Sequence, residues 1–212
     1  MDLNELSNKI LEILNRDAQN IVLENSMSSP RSIGDAVQDK LADVGLAEAL
    51  TAFGILDVDN DFSRRSMEDI AFKDNDGNYY AVDVKTHNLD TQFNMPNLIS
   101  VKRLANFYKN DSNTFCILII AYRVIDNRII YEDCKFTPIE AFSWNCLTLG
   151  ALGWGQIQIV NANNLLFNQT VNRKQWMLDM CDKLETFYDE EIGKIAERKD
   201  CFSKIRQEWE SK

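Results

Sequence analysis

The sequence predicts an α/β protein of mixed α+β type, with a central mixed β-sheet flanked by helices. Three observations point there: apolar residues recur at helical spacing at both ends of the chain, strand-like runs bounded by turn residues fill the middle, and one helical segment lies between those strands. A chain of 212 residues with 45% hydrophobic and 26% charged residues can bury one sizeable core. It reads as a single domain over 1–212, with N-terminal helices over 1–52, a sheet and its loops over 67–162, and a C-terminal helix over 173–212.

The first element, expected over 2–24, spaces Leu3, Leu6, Ile10, Ile13 and Leu14 at helical intervals and lacks a basic leader, so it reads as an amphipathic helix and not a signal peptide. After the loop ENSMSSPRS, Ser32 can cap a second helix from about Gly34 to Leu50. MEDIAFKDNDGNYYAVDVK then reads as a hairpin around Asp74, Asn75, Asp76 and Gly77. Pro96 is expected to open a third helix, with Leu98, Val101, Leu104, Ala105 and Tyr108 on one face. TFCILIIAYRVI reads as a central buried strand, joined to NRIIYEDCKF through Asp126 and Asn127. TLGALGWGQIQIV reads as a glycine-rich mobile loop followed by a short strand. From Arg173 one long helix places Trp176, Met180, Leu184, Tyr188 and Ile192 at intervals of four.

The longest apolar run, FCILIIAY, is too short to cross a bilayer, so no membrane partner is expected. Five cysteines without a C-x-x-C pair argue for reduced thiols in a cytoplasmic setting, and against a zinc site or a disulfide frame. The net charge of −10 argues against a nucleic-acid partner, but its distribution argues the other way. Residues 91–110 and 141–178 contain none of the 33 acids, where an even spread would place about nine, and they do contain Lys102, Arg103, Lys109, Arg173 and Lys174. An anion-binding surface needs a local absence of carboxylates, which global charge does not decide.

On the hairpin, Asp83 and Lys85 share one face of their strand because side chains two apart lie on the same side. Folding about the turn brings the start of the first strand, Glu68 and Asp69, across from Asp83. Two carboxylates beside a lysine form a set that can hold Mg²⁺ and stabilise an attacking water, the requirement for phosphodiester hydrolysis. On spacing alone an ordinary surface ion pair accounts for the same residues, since D-x-K is a weak pattern.

MEDIAF followed by VDVK resembles the PD-(D/E)xK nuclease signature, and VDVKTHN, FNMPNLIS and WGQIQIV with NRKQWM together resemble the HincII group of type II restriction endonucleases. The resemblance spans about 67–190. It implies a restriction-endonuclease-like core, a cytoplasmic bacterial setting within a restriction-modification pair, and a homodimer that cuts both strands of a specific, palindromic double-stranded DNA site, leaving blunt ends with 5′-phosphates. It makes Asp69, Asp83 and the Val84 carbonyl the Mg²⁺ ligands and Lys85 the water-activating group. The first motif lacks its proline, which leaves Glu68 and Asp69 both open as the first ligand, with Asp69 in the better register.

The resemblance also sets Thr86 and His87, the only histidine, near the scissile phosphate, Asn97 at a base edge, and Asn94 where the family carries a Gln that wedges into the base stack. Asn94 is shorter than that Gln. Lys102 and Arg103 would approach phosphates. Gly150, Gly153 and Trp154 belong to a second reading loop more glycine-rich than the family's, in which Trp154 packs on sugar, on the partner subunit or in the core. Asp35 and Asp39 are candidates for a supporting carboxylate or for solvated helix charges. The terminal helices are the candidate dimer interface. The other readings are a repair or junction nuclease with the same catalytic pattern, and a non-enzymatic acidic protein of the DNA-mimic or immunity type.

Overall fold

The computed structural model describes residues 1–18, 45–59 and 66–212. The expected end of the first helix, the Ser32 cap, most of the second helix and the candidates Asp35 and Asp39 lie outside the described residues.

The architecture is the mixed one expected. A five-stranded sheet has the order β1 (Val58–Asp59), β2 (Ile70–Lys73), β3 (Tyr79–Asn88), β5 (Asn113–Ile125), β6 (Arg128–Pro138), and a three-stranded sheet has the order β4 (Asn97–Ser100), β8 (Gln156–Ile159), β7 (Leu147–Gly150). All pairings are antiparallel except β3 with β5. A parallel neighbour requires a crossover, and β4 with the short helix α3 (Val101–Phe107) supplies it.

β5 is buried from Phe115 through Tyr122, as a strand covered on both faces must be. Its link to β6 is a two-residue turn in which Asp126 and Asn127 both take positive φ, 50° and 58°, the backbone that matches strand twist. One sheet face is covered by α1 (Leu3–Ala18), which buries Leu6, Ile10, Ile13 and Leu14, and by α2 (Leu46–Thr51). Polar ties fix α1 to β6: Ser7 Oγ accepts from Phe136 N at 2.9 Å and Asn15 Nδ2 donates to the Tyr131 carbonyl at 3.1 Å. The other face carries a second apolar cluster that joins Ala81 and Ile117 of the large sheet to Leu98, Ile157 and Ile159 of the small one, and to Trp176 and Met180.

The C-terminal helix α4 (Arg173–Glu210) has 38 residues and starts at Asn172, whose side chain accepts from Gln175 N. Trp176 stacks on Trp144 with ring centres 4.6 Å apart, and from Ile192 onward every residue is exposed. Pairs such as Lys204–Asp200 and Arg206–Glu210 support that exposed stretch by about 0.3 kcal/mol each.

Two expectations are corrected. No helix opens at Pro96: residues 97–100 form β4, held against β8 by pairing of Asn97 with Gln158 and Ser100 with Gln156, and the Pro96 carbonyl accepts from Ile159 N. The helix starts only at Val101, and Ala105, expected on its buried face, is exposed. The glycine-rich segment is not all loop, since Leu147–Gly150 is strand β7. Among the described residues no helix is long and apolar enough to cross a membrane.

Candidate active site

β2 and β3 pair with Ile70 opposite Val82, and Asp69 N donates to the Val82 carbonyl at 2.8 Å. Asp69 therefore sits just before β2 and opposite the part of β3 that holds Asp83 to Lys85. Its Oδ2 accepts from Val84 N at 2.8 Å. N–H and C=O of one strand residue point to the same side, so the Val84 carbonyl faces the same strand edge as the Asp69 carboxylate. The Glu68 charge acts on Tyr79, whose phenol is pushed up by burial first and by Glu68 second.

Asp83 is buried at 7% exposure. Lys85 Nζ donates to its Oδ1 at 2.7 Å, while Oδ2 is one of two buried side-chain polar atoms without a hydrogen-bond partner among the described residues, the other being the Tyr131 hydroxyl. Burial pushes the Asp83 carboxyl up to about 7; Lys85 opposes this and Asp69 adds to it.

No group of three or more His, Cys, Asp or Glu able to hold a metal occurs among the described residues. Asp69 and the Val84 carbonyl on the strand edge, with Asp83 near enough for the Asp69 charge to act on it, nonetheless suit Mg²⁺, which keeps several waters and takes only one or two protein carboxylates. The bare Asp83 oxygen is the observation that fits: an unpaired buried carboxylate oxygen is costly without a cation or donor.

Asp83 also lines a cleft of about 350 Å³ with Met67, Arg103, Gly153, Trp154 and Gln156. The structure thus brings Asp83 to the same cleft as Arg103, Gly153 and Trp154 of the segments expected to read DNA. Trp154 is 61% exposed, not core. Lys102 Nζ lies 4.0 Å from its ring centre and Tyr188 donates to its carbonyl at 2.6 Å. Gly153 has φ +61°, a backbone state other residues rarely hold. A Cβ at Gly150 would lie 2.5 Å from Gln158 Oε1, so the missing side chain leaves room for Gln158.

Other candidates are placed differently. Thr86 points to the opposite sheet face from Lys85 by strand alternation. His87 is buried at 3% exposure, with Nε2 2.8 Å from Asn163 Oδ1 and Nδ1 3.3 Å from Asn94 Nδ2. Both ring nitrogens are engaged within the fold, so the ring acts as a brace, and Asn94 is half-buried as its partner. Asn97 is exposed and accepts from Gln158 Nε2. Neither Gln158 nor Asn163 stood out in the sequence. The alternation of QIQIV could have flagged Gln158 as the outward residue beside buried Ile157 and Ile159, whereas Asn163 had no local signal.

No protein-family model matches the chain, and no curated protein matches it.

Proposed function

We propose that this protein is a Mg²⁺-dependent endonuclease that cuts duplex DNA at a specific site as a homodimer. The observation that carries this reading is the bare, buried Asp83 oxygen beside Asp69 and Lys85, on a cleft walled by Arg103 and the Gly153–Trp154 loop. Asp69, Asp83 and the Val84 carbonyl would hold the ion. When bound, Mg²⁺ supplies Lewis-acid polarisation of the scissile phosphate and lowers the pKa of water.

Lys85, fixed on Asp83, keeps a positive charge where the attacking oxygen becomes negative, an electrostatic contribution that grows toward the transition state. Lys102 and Arg103, on the acid-free segment, place phosphates along the cleft. The amides of Asn97 and Gln158 present both donor and acceptor to base edges. A non-enzymatic DNA mimic would need acids over this surface, and β4, α3, β7 and β8 contain none.

The test is digestion of a large natural DNA in buffers with Mg²⁺ or with chelator, with the ends mapped. Discrete fragments with common end sequences in Mg²⁺, absent with chelator and absent for Asp83→Ala, are expected. Intact DNA at all protein concentrations in Mg²⁺ overturns the reading.

A further inference from the structure

We infer that the projecting half of α4 docks against the α4 of a second copy of this chain, with the two helices antiparallel. Tyr188, Ile195, Phe202 and Trp209 recur at steps of seven, with Ile192 and Ile205 flanking them. All six are exposed, Ile192, Phe202 and Trp209 by about two thirds. A strict seven-residue repeat advances 3.5 residues per turn, which keeps one apolar seam facing a partner helix in a left-handed supercoil. Single exposed apolar residues are ordinary, but a recurring stripe of this length along one helix face marks an interaction surface.

Charge selects both the occupant and the direction. Residues 182–191 hold five acids and one base, and residues 194–206 hold five bases and two acids. The acidic segment, at and just before the start of the stripe, and the basic segment along it are complementary to each other, so the surface they fit is their own, reversed. A parallel in-register pair would set acid on acid and base on base, which is destabilising. The antiparallel pair sets each acidic segment against the basic segment of the other copy. It also brings Glu191 of one copy near Arg198 of the other, so the two charged residues that interrupt the seam answer one another. An isologous pairing of this kind is the two-fold contact that closes a dimer.

This inference deepens the dimeric part of the proposed function, but it stands on the helix alone and is read by mass, so loss of nuclease activity would leave it untouched.

The experiment is sedimentation equilibrium of the full chain across the micromolar range. Wild type is expected at twice its 24.4 kDa. Ile195→Asp and Phe202→Asp, both at exposed positions, are expected at the single-chain mass with unchanged circular dichroism and unfolding midpoint. The double change Glu190→Lys with Glu191→Lys should weaken the dimer, and adding Arg198→Glu with Lys199→Glu in the same chain should restore it, because only an antiparallel pair juxtaposes those segments. A wild-type chain that stays at 24.4 kDa assigns the stripe to another occupant and overturns the proposal. So does a Phe202→Asp chain that remains dimeric, and a fourfold variant that is no tighter than the twofold one overturns the antiparallel arrangement.

Discussion

Two acids are buried among the described residues, Asp83 and Glu140, and they are completed to different degrees. Glu140, at 2% exposure, accepts from Arg173 Nε at 2.6 Å on one oxygen and from the Tyr108 hydroxyl at 2.7 Å on the other. Tyr108 itself lies under the Arg173 guanidinium and accepts from Phe115 N. This network ties the start of α4 to the end of α3 and to β5. Asp83 has one oxygen on Lys85 and one with no partner. Burying a carboxylate is tolerated when its lone pairs are met, and costs about 1–3 kcal/mol or more when one is not. The difference teaches that the fold completes Glu140 on both oxygens and Asp83 on only one.

Breaking the open acid should have the larger effect on chemistry. Asp83→Ala removes a proposed metal ligand and, on the proposed function, should abolish Mg²⁺-dependent cleavage, while DNA affinity measured in Ca²⁺ survives. Lys85→Ala removes the charge proposed to stabilise the attacking oxygen, an expected loss of several kcal/mol, or roughly 10³-fold in rate. Single-turnover cleavage alongside mobility shifts checks both, and normal cleavage by either variant breaks the contrast between the two acids.

Breaking the finished acid should affect stability instead. Glu140→Gln leaves Arg173 half-buried without its charge partner, which should cost about 3 kcal/mol in denaturant unfolding. Cleavage per folded molecule should not change. A Glu140→Gln protein of wild-type stability would show that the network is ornamental.

The open acid should also be visible in pH dependence. Its carboxyl is raised to about 7 by burial, from an ordinary value of 3.8. With the folded value above the unfolded one, the unfolded state gives up its proton first as pH rises. The stability that Asp83 contributes in the metal-free protein is therefore full below about 4 and is lost as pH rises through about 7, by roughly a few kcal/mol. Unfolding midpoints against pH should fall over that window in wild type, fall less in Asp83→Asn, and recover above pH 7 when Mg²⁺ is added. Coincident wild-type and Asp83→Asn profiles would place the Asp83 carboxyl in the ordinary range.

Much of this contrast was legible in the chain itself. The turn at Asp74–Gly77 fixes the hairpin register, so strand alternation alone sets Asp69 across from Asp83 and puts Lys85 on the Asp83 face. The Asp126–Asn127 turn and the seam of α4 are local signals of the same kind. The failures are non-local. NLIS has helical spacing with the residues after it, yet its backbone pairs with β8 about sixty residues later, and a ladder of that separation leaves no mark within the segment. His87 is the sole histidine, and its partners Asn94 and Asn163 come from two separate loops, a bracing no local pattern shows. Glu140 gave no signal because Tyr108 and Arg173 are each more than thirty positions away in sequence.

Between the open and the finished acid stands a half-committed pair, and it should show the smallest effect. Gln158 Nε2 donates to Asn97 Oδ1 on the exposed face of the small sheet, which leaves Asn97 Nδ2 as donor and Gln158 Oε1 as acceptor for a base edge. Asn97→Ala or Gln158→Ala should each cost about 1–3 kcal/mol of discrimination between the correct site and a single mismatch. The double variant should lose little more than either single one, because the two amides hold each other in place. Lys102, stacked over Trp154, is proposed to meet phosphate rather than base. Lys102→Ala should weaken every sequence alike and reduce the salt dependence of binding by about one unit of slope. Cleavage of matched and mismatched duplexes, with binding followed across a salt series, separates the two behaviours. If Asn97→Ala and Lys102→Ala change matched and mismatched sites in the same proportion, the amide pair does not read bases, and sequence must be sensed through the deformability of the DNA in the cleft.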